Sequence, residues 1–152
     1  MGNAELVKDE SPSQDTPITR PMTSKRVLLA EDDREMRRLL AEGLRQDGYD
    51  VIESSDGLDL CDCIYEFRTK IGNGRFFDVD LIVSDIRMPW VSGLEVLQEL
   101  RVTNRETPVI LITAFGDEQT HLQAYRLGAV AVLDKPFDLD RFREVVRQYM
   151  PP

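Results

Sequence analysis

From Arg26 onward, short apolar runs alternate with stretches of helical spacing. Val27-Leu28-Leu29-Ala30 reads as a buried strand, and Met36, Leu39, Leu40 and Leu44 then fall on one face of a helix that Gly48 ends. Val51 and Ile52 make a second strand, after which Leu58, Cys61 and Ile64 return to helical spacing. Leu81-Ile82-Val83 is a third strand, followed by a helix bearing Leu94, Leu97 and Leu100. Pro108 introduces the strand Val109-Ile110-Leu111-Ile112, and a helix from about His121 to Leu127 stops at Gly128. Val130 to Leu133 form the last strand, and Leu139, Phe142, Val145, Val146 and Tyr149 line the last helix. Strands alternating with helices in this way imply parallel βαβ units with right-handed crossovers. The first, third and fourth strands are almost wholly apolar, as strands covered on both faces are. The pattern predicts an α/β protein, an open, doubly wound parallel sheet of five strands with five flanking helices.

Residues 1–24 show no such periodicity and carry Pro12, Pro17 and Pro21, so they read as a disordered tail ahead of a folded unit spanning 25–150. Met22, directly before Thr-Ser-Lys-Arg and the first strand, is a candidate alternative start. Leu6 stands where an N-myristoylation signal needs Ser or Thr. No apolar run reaches the length of a membrane span and no signal-peptide pattern opens the chain, so a cytoplasmic protein is expected. The formal charge of −9 argues against direct nucleic acid binding. Cys61 and Cys63 are too close to staple a fold, and with His121 the only histidine a zinc site lacks ligands; two reduced thiols on a helix are expected.

In doubly wound folds ligands sit beyond the carboxyl ends of the strands. Glu31, Asp32 and Asp33 follow the first strand, Asp85 the third, Thr113 the fourth and Lys135 the fifth. Carboxylates gathered at one edge repel one another, so a cation must join them or one must take a proton. Oxygen donors without His or Cys suit Mg²⁺. One neutralised carboxylate can then act as a nucleophile on phosphorus, a reaction that asks mainly for positioning and charge neutralisation. Lys135 can hold a phosphoryl oxygen as a point charge, and Thr113 can donate a hydrogen bond to another. Each residue alone has a plainer role, Asp32 or Asp33 as a helix cap and Asp85 as a turn residue before Pro89.

Four segments in order, each closing a strand, resemble the receiver domain of bacterial two-component response regulators: Val-Leu-Leu-Ala-Glu31-Asp32-Asp33, Leu-Ile-Val-Ser-Asp85-Ile-Arg-Met-Pro89, Leu-Ile-Thr113-Ala and Asp-Lys135-Pro136-Phe. The resemblance runs from about Lys25 to Met150 and implies a flavodoxin-like strand order of 2-1-3-4-5. It implies Asp85 as phosphoacceptor, with Glu31, Asp32, Asp85 and the backbone carbonyl of Arg87 as ligands to Mg²⁺. It further implies Thr113 and Lys135 at the phosphoryl group, Asp33 as helix N-cap and a cis Lys135-Pro136 bond. The implied partners are a sensor histidine kinase or histidine phosphotransferase and a downstream protein target. The implied role is a signalling switch that catalyses only its own phosphorylation and dephosphorylation, either as a single-domain response regulator, which the N-terminal tail favours, or as the receiver of a larger protein.

Several positions depart from that pattern. The connection from Arg68 to Asp80, with Gly72-Asn73-Gly74, is longer than usual by roughly two helical turns. The switch aromatic of the fifth strand falls on Val132, which has no ring to swing; signalling through Thr113 and the following loop, with Phe115, is the expected substitute. Arg87 and Phe115 occupy positions that tune dephosphorylation, and neither orients an attacking water, so a phosphoryl-aspartate lasting minutes or longer is expected. Trp90 stands where the family often has Gly and has two readings, a lid beside the site or a cap of the third helix. Two other functions compete. An aspartate-nucleophile phosphatase of the haloacid-dehalogenase type wants an acid two residues after the nucleophile, where Arg87 stands, and a cap domain. A receiver-like module that binds partners without phosphorylation draws its support from Val132.

Overall fold

A computed structural model describes residues 24–69, 79–114 and 116–152. The expectations for the N-terminal tail, for Met22, for most of the long connection and for Phe115 therefore lie outside the described residues. The elements follow in strict alternation: β1 (Arg26–Ala30), α1 (Arg34–Gln46), β2 (Asp50–Ser54), α2 (Gly57–Thr69), β3 (Leu81–Asp85), α3 (Gly93–Thr103), β4 (Val109–Thr113), α4 (Glu118–Arg126), β5 (Ala131–Asp134) and α5 (Leu139–Tyr149). All four strand pairings are parallel, and the order is β2-β1-β3-β4-β5.

Period-2 alternation divides the apolar strands between two cores. Val27 and Leu29 of β1, Leu81 and Val83 of β3 and Ile110 and Ile112 of β4 pack with Leu40 and Leu44 of α1 and Phe142, Val145 and Val146 of α5. The intervening Leu28, Ala30, Ile82, Val109 and Leu111 pack with Leu60 of α2, Val96, Leu97 and Leu100 of α3 and Ala124 of α4. Helices α1 and α5 thus cover one face and α2, α3 and α4 the other, which is why the central strands read as unbroken apolar runs.

Most helix boundaries have local causes. Asp33, Ser92, Asp117 and Asp138 each accept the backbone N–H three residues on, at the N-caps of α1, α3, α4 and α5. At α2, Asp56 accepts from Asp59 N while Asp59 accepts from Ser55 N, a reciprocal arrangement that resembles a capping box. Gly48 and Gly128 end α1 and α4 at φ of 94° and 98°, where a side chain would be strained. Several strand boundaries shift from the expected ones. β5 starts at Ala131 rather than Val130, whose N–H donates to Val109 O below the ladder. Asp85 and Thr113 are the last residues of β3 and β4 rather than the first after them. The helical spacing of Leu58, Cys61 and Ile64 continues to Thr69. Cys61 and Cys63 are free, half-buried thiols of α2, and burial pushes both above the ordinary thiol range.

Candidate functional site

The site is assembled by extending the sheet one residue past each strand. Glu31 N–H donates to Ser54 O, Ile86 N–H to Ile112 O and Lys135 N–H to Thr113 O, at 3.1, 2.8 and 2.7 Å. The backbone thereby places Glu31, Asp85, Thr113 and Lys135 side by side at the carboxyl edge, within one fold feature that four separate sequence segments supply. Glu31, Asp85 and Thr113 are buried, whereas Asp32 is exposed. The peptide bond Lys135-Pro136 is cis.

Lys135 joins the two buried carboxylates: Nζ donates to Asp85 Oδ2 at 2.8 Å and to Glu31 Oε2 at 3.0 Å. The remaining oxygens accept from backbone, Asp85 Oδ1 from Arg87 N–H and Glu31 Oε1 from Asp33 N–H, both at 3.1 Å. One ammonium does not balance this much negative charge. Burial and the neighbouring Asp85 push the Glu31 carboxyl up to about 7, against the opposing pull of Lys135 and the Asp33 N–H. For Lys135, burial works against its charge, but the hydrogen bonds and charges of Asp85 and Glu31 outweigh it and hold the ammonium above its ordinary value.

Glu31, Asp32 and Asp85 each offer a carboxylate oxygen within 4.8 Å of the others. Three hard oxygen donors with unspent lone pairs, one on an exposed residue, fit a small divalent cation that keeps part of its water. Asp33, the third acid of the run, instead caps α1, its Oδ1 accepting from Met36 N at 2.8 Å. Arg87 contributes its N–H to Asp85 while its side chain is exposed.

Two features were not visible in the sequence. His121 Nε2 lies 2.8 Å from Asp134 Oδ1, and a Cβ at Gly116 would meet both these atoms and Thr113 Cγ2 within 3 Å. This links α4, the end of β5 and Thr113 across 13 residues, with no local spacing to announce it. Trp90 contradicts both of its expected roles. Ser92 caps α3, and the indole is 80% exposed rather than packed over the site. Its backbone has φ 73°, the left-handed region, which explains why Gly is favoured there and costs a bulky residue about 1–2 kcal/mol. Val132 is half-buried against the core formed with α2, α3 and α4.

A doubly wound sheet in this order, with a lysine-bridged acidic cluster at its carboxyl edge, defines a receiver-type α/β protein. Residues 27–147 match the family model of the response regulator receiver domain, and the chain belongs to that family. It is 29% identical over 130 residues to sporulation initiation phosphotransferase F of Bacillus subtilis (strain 168), covering 86% of this chain and 97% of that protein. It is 35% identical over 127 residues to the transcriptional regulatory protein CpxR of Escherichia coli (strain K12), covering 81% of this chain and 50% of CpxR. The chain thus spans nearly all of the first relative but about half of the second. Among solved structures, the non-phosphorylated HemR receiver domain of Leptospira biflexa superposes with a TM-score of 0.70 at 28% identity, covering 83% of this chain and 94% of that one. The chemotaxis response regulator CheY4 of Vibrio cholerae shares the fold, with a TM-score of 0.73 at 23% identity over 84% of this chain and all of that one. Among the described residues no helix is long and apolar enough to cross a membrane.

Proposed function

We propose that the chain is a phosphoacceptor switch whose nucleophile is Asp85 and whose donor is a phosphohistidine on a sensor kinase or histidine phosphotransferase. The observation that carries this reading is the bridge from Lys135 Nζ to Asp85 and Glu31 inside the three-carboxylate cluster. A carboxylate oxygen of Asp85 forms a bond to phosphorus as the phosphorus–nitrogen bond of the donor breaks. The bonding pair returns to the donor imidazole, which leaves neutral because its other ring nitrogen carries a proton. Glu31, Asp32, Asp85 and the Arg87 backbone carbonyl would hold Mg²⁺, which supplies charge neutralisation to the transferring phosphoryl group. Lys135 holds one phosphoryl oxygen and Thr113, at the end of β4, hydrogen-bonds another. The sheet holds the backbone on both sides of Asp85.

Acetyl phosphate with Mg²⁺ tests this directly by intact mass. A gain of one phosphoryl group, about 80 Da, absent in Asp85→Ala and without Mg²⁺, is the expected result. Labelling that persists in Asp85→Ala would move the acceptor elsewhere. No labelling from acetyl phosphate or from any phosphohistidine donor would favour a module that binds partners without phosphorylation, the reading that Val132 supports.

A further inference from the structure

Trp90 combines two unfavourable features, of which the hydrogen bond from Val91 N–H to Pro89 O at 2.9 Å accounts for the backbone but not for the exposure. It is the single tryptophan of the chain, left 80% exposed, on a backbone at φ 73°. Burying an indole is among the larger apolar gains open to a protein, and this one is forgone. Backbone strain of this kind persists where surrounding structure enforces it, and such sites cluster at functional surfaces.

The surroundings enforce it here. The loop from Arg87 to Ser92 leaves the phosphoacceptor strand and returns to it at once. Arg87 N–H donates to Asp85 Oδ1 at 3.1 Å, and Gly93 N–H to Ile86 O at 2.9 Å. A Cβ at Gly93 would stand 2.4 Å from the Asp85 carbonyl oxygen, so the return is as close as a backbone allows. On the outer side, a Cβ at Gly57 would stand 1.9 Å from Val91 O, so the loop is seated against the start of α2 as well. Trp90 is therefore the exposed tip of a short loop that leaves the strand ending in Asp85 and is clamped at three points. Leu58, next to Gly57 in the first turn of α2, is 49% exposed.

Asp85 itself is only 4% exposed. A donor must insert its phosphoryl group into this recess while the surface around it rests on the rim. We propose that Trp90 is a docking residue for the protein phosphodonor, its indole face receiving an apolar or cationic side chain that flanks the donor's phosphohistidine. The inference rests on the phosphoacceptor reading above. Exposed Asp32 at the same edge and the formal charge of −9 favour a cationic neighbour, and an indole is the best aromatic face for one. An aromatic ring on a fixed backbone also loses little entropy on contact, which suits a docking anchor. A donor as small as acetyl phosphate reaches Asp85 without covering the rim.

The test compares two donors on one acceptor. A panel of ³²P-labelled histidine kinase and histidine phosphotransfer domains is screened on the wild-type chain, and the fastest is carried forward beside acetyl phosphate. In Trp90→Gly, which relieves the backbone, the ratio of the protein-donor rate to the acetyl phosphate rate is expected to fall about tenfold or more. Trp90→Ala, which keeps the strained backbone, should fall equally, and Trp90→Tyr should recover part of the ratio. Quenching or a shift of the single tryptophan's emission on adding an unphosphorylatable His→Gln donor would place the ring in the contact. A ratio unchanged in Trp90→Gly overturns the proposal, as does labelling by acetyl phosphate with no transfer from any protein donor. Failure of acetyl phosphate and of every protein donor on the wild-type chain would instead strike the assignment of Asp85, so the two failures are distinguishable.

Discussion

Asp47 and Glu31 are carboxylates set beside basic side chains at opposite ends of the sheet, and their surroundings drive them in opposite directions. Asp47 follows α1 and receives Arg143 of α5 through two contacts, Nε at 2.9 Å and an Nη at 2.5 Å, with Arg147 at 3.5 Å. Its hydrogen bonds to Arg143 outweigh burial and hold it below the ordinary carboxylate range. Tyr49 adds a hydrogen bond from its hydroxyl to the carbonyl of Met150 at the same seam. At the other end, Glu31 shares one lysine with Asp85 and is pushed up to about 7. Two cations to one carboxylate make a fastening; one ammonium shared by two buried carboxylates does not. The first arrangement holds α5 to α1, and the second leaves room for a cation and a phosphoryl group.

The largest expected effect comes from removing the ammonium that joins Asp85 and Glu31. Lys135→Ala should slow labelling of Asp85 by acetyl phosphate about 100-fold or more, the usual loss when one preorganised donor to transferring charge is deleted. A time course of intact mass at fixed Mg²⁺ measures it. A slowing of less than about fivefold would mean that Lys135 serves only to pair the resting carboxylates.

Next in size is the effect of relieving the crowding instead. Glu31 has a folded value of about 7 against an ordinary 4.5. Between those pH values the folded state holds a proton that the unfolded state has lost, so native stability falls as pH rises through the window. Above about 7 the penalty is complete; below about 4.5 it is absent. Glu31→Gln cannot ionise, so without divalent cations it should be more stable than the wild-type chain at pH 8, on the order of 1–3 kcal/mol, and equal to it near pH 4.5. Urea midpoints at the two pH values decide this. Adding Mg²⁺ should stabilise the wild-type chain more than the variant, because only the wild type offers all three carboxylates. A variant less stable than wild type at pH 8 would show that Lys135 already balances the cluster.

How much of this could be read from the chain follows from how local each cause is. The strands β1, β3 and β4 were legible because burial on both faces leaves unbroken apolar runs. Asp33 as a cap was legible because its partner, Met36 N, is three residues away. The strand order and the gathering of Glu31, Asp32, Asp85, Thr113 and Lys135 were legible only as four motifs in sequence, each tied to a strand end by the fold. Asp47 with Arg143 spans 96 residues, and no spacing rule pairs them. Trp90 was misread because sequence shows a bulky apolar residue beside a site and cannot show a left-handed backbone that aims it at solvent. The sharing of Lys135 between Asp85 and Glu31, and hence the raised carboxyl, depends on distances of tenths of an ångström that no pattern encodes.

The smallest effect belongs to the satisfied end, and its pH dependence should run the other way. Asp47 has its folded value lowered from 3.8, so its contribution is fully present above that value and is lost as pH falls through the lower folded one. Asp47→Asn keeps the shape but faces Arg143 and Arg147 with a neutral amide. At pH 7 the variant should melt at a lower temperature than the wild-type chain, by less than the change at Glu31, because Arg147 in particular is reached by solvent and salt. Below pH 3.8 the gap should begin to narrow, and the two melting curves should converge once pH passes the lower folded value. Added salt should narrow the gap at pH 7 for the same reason. A gap that stays constant from pH 7 to pH 3 would mean that Asp47 contributes hydrogen-bond geometry rather than charge, and the contrast with Glu31 would then reduce to burial alone.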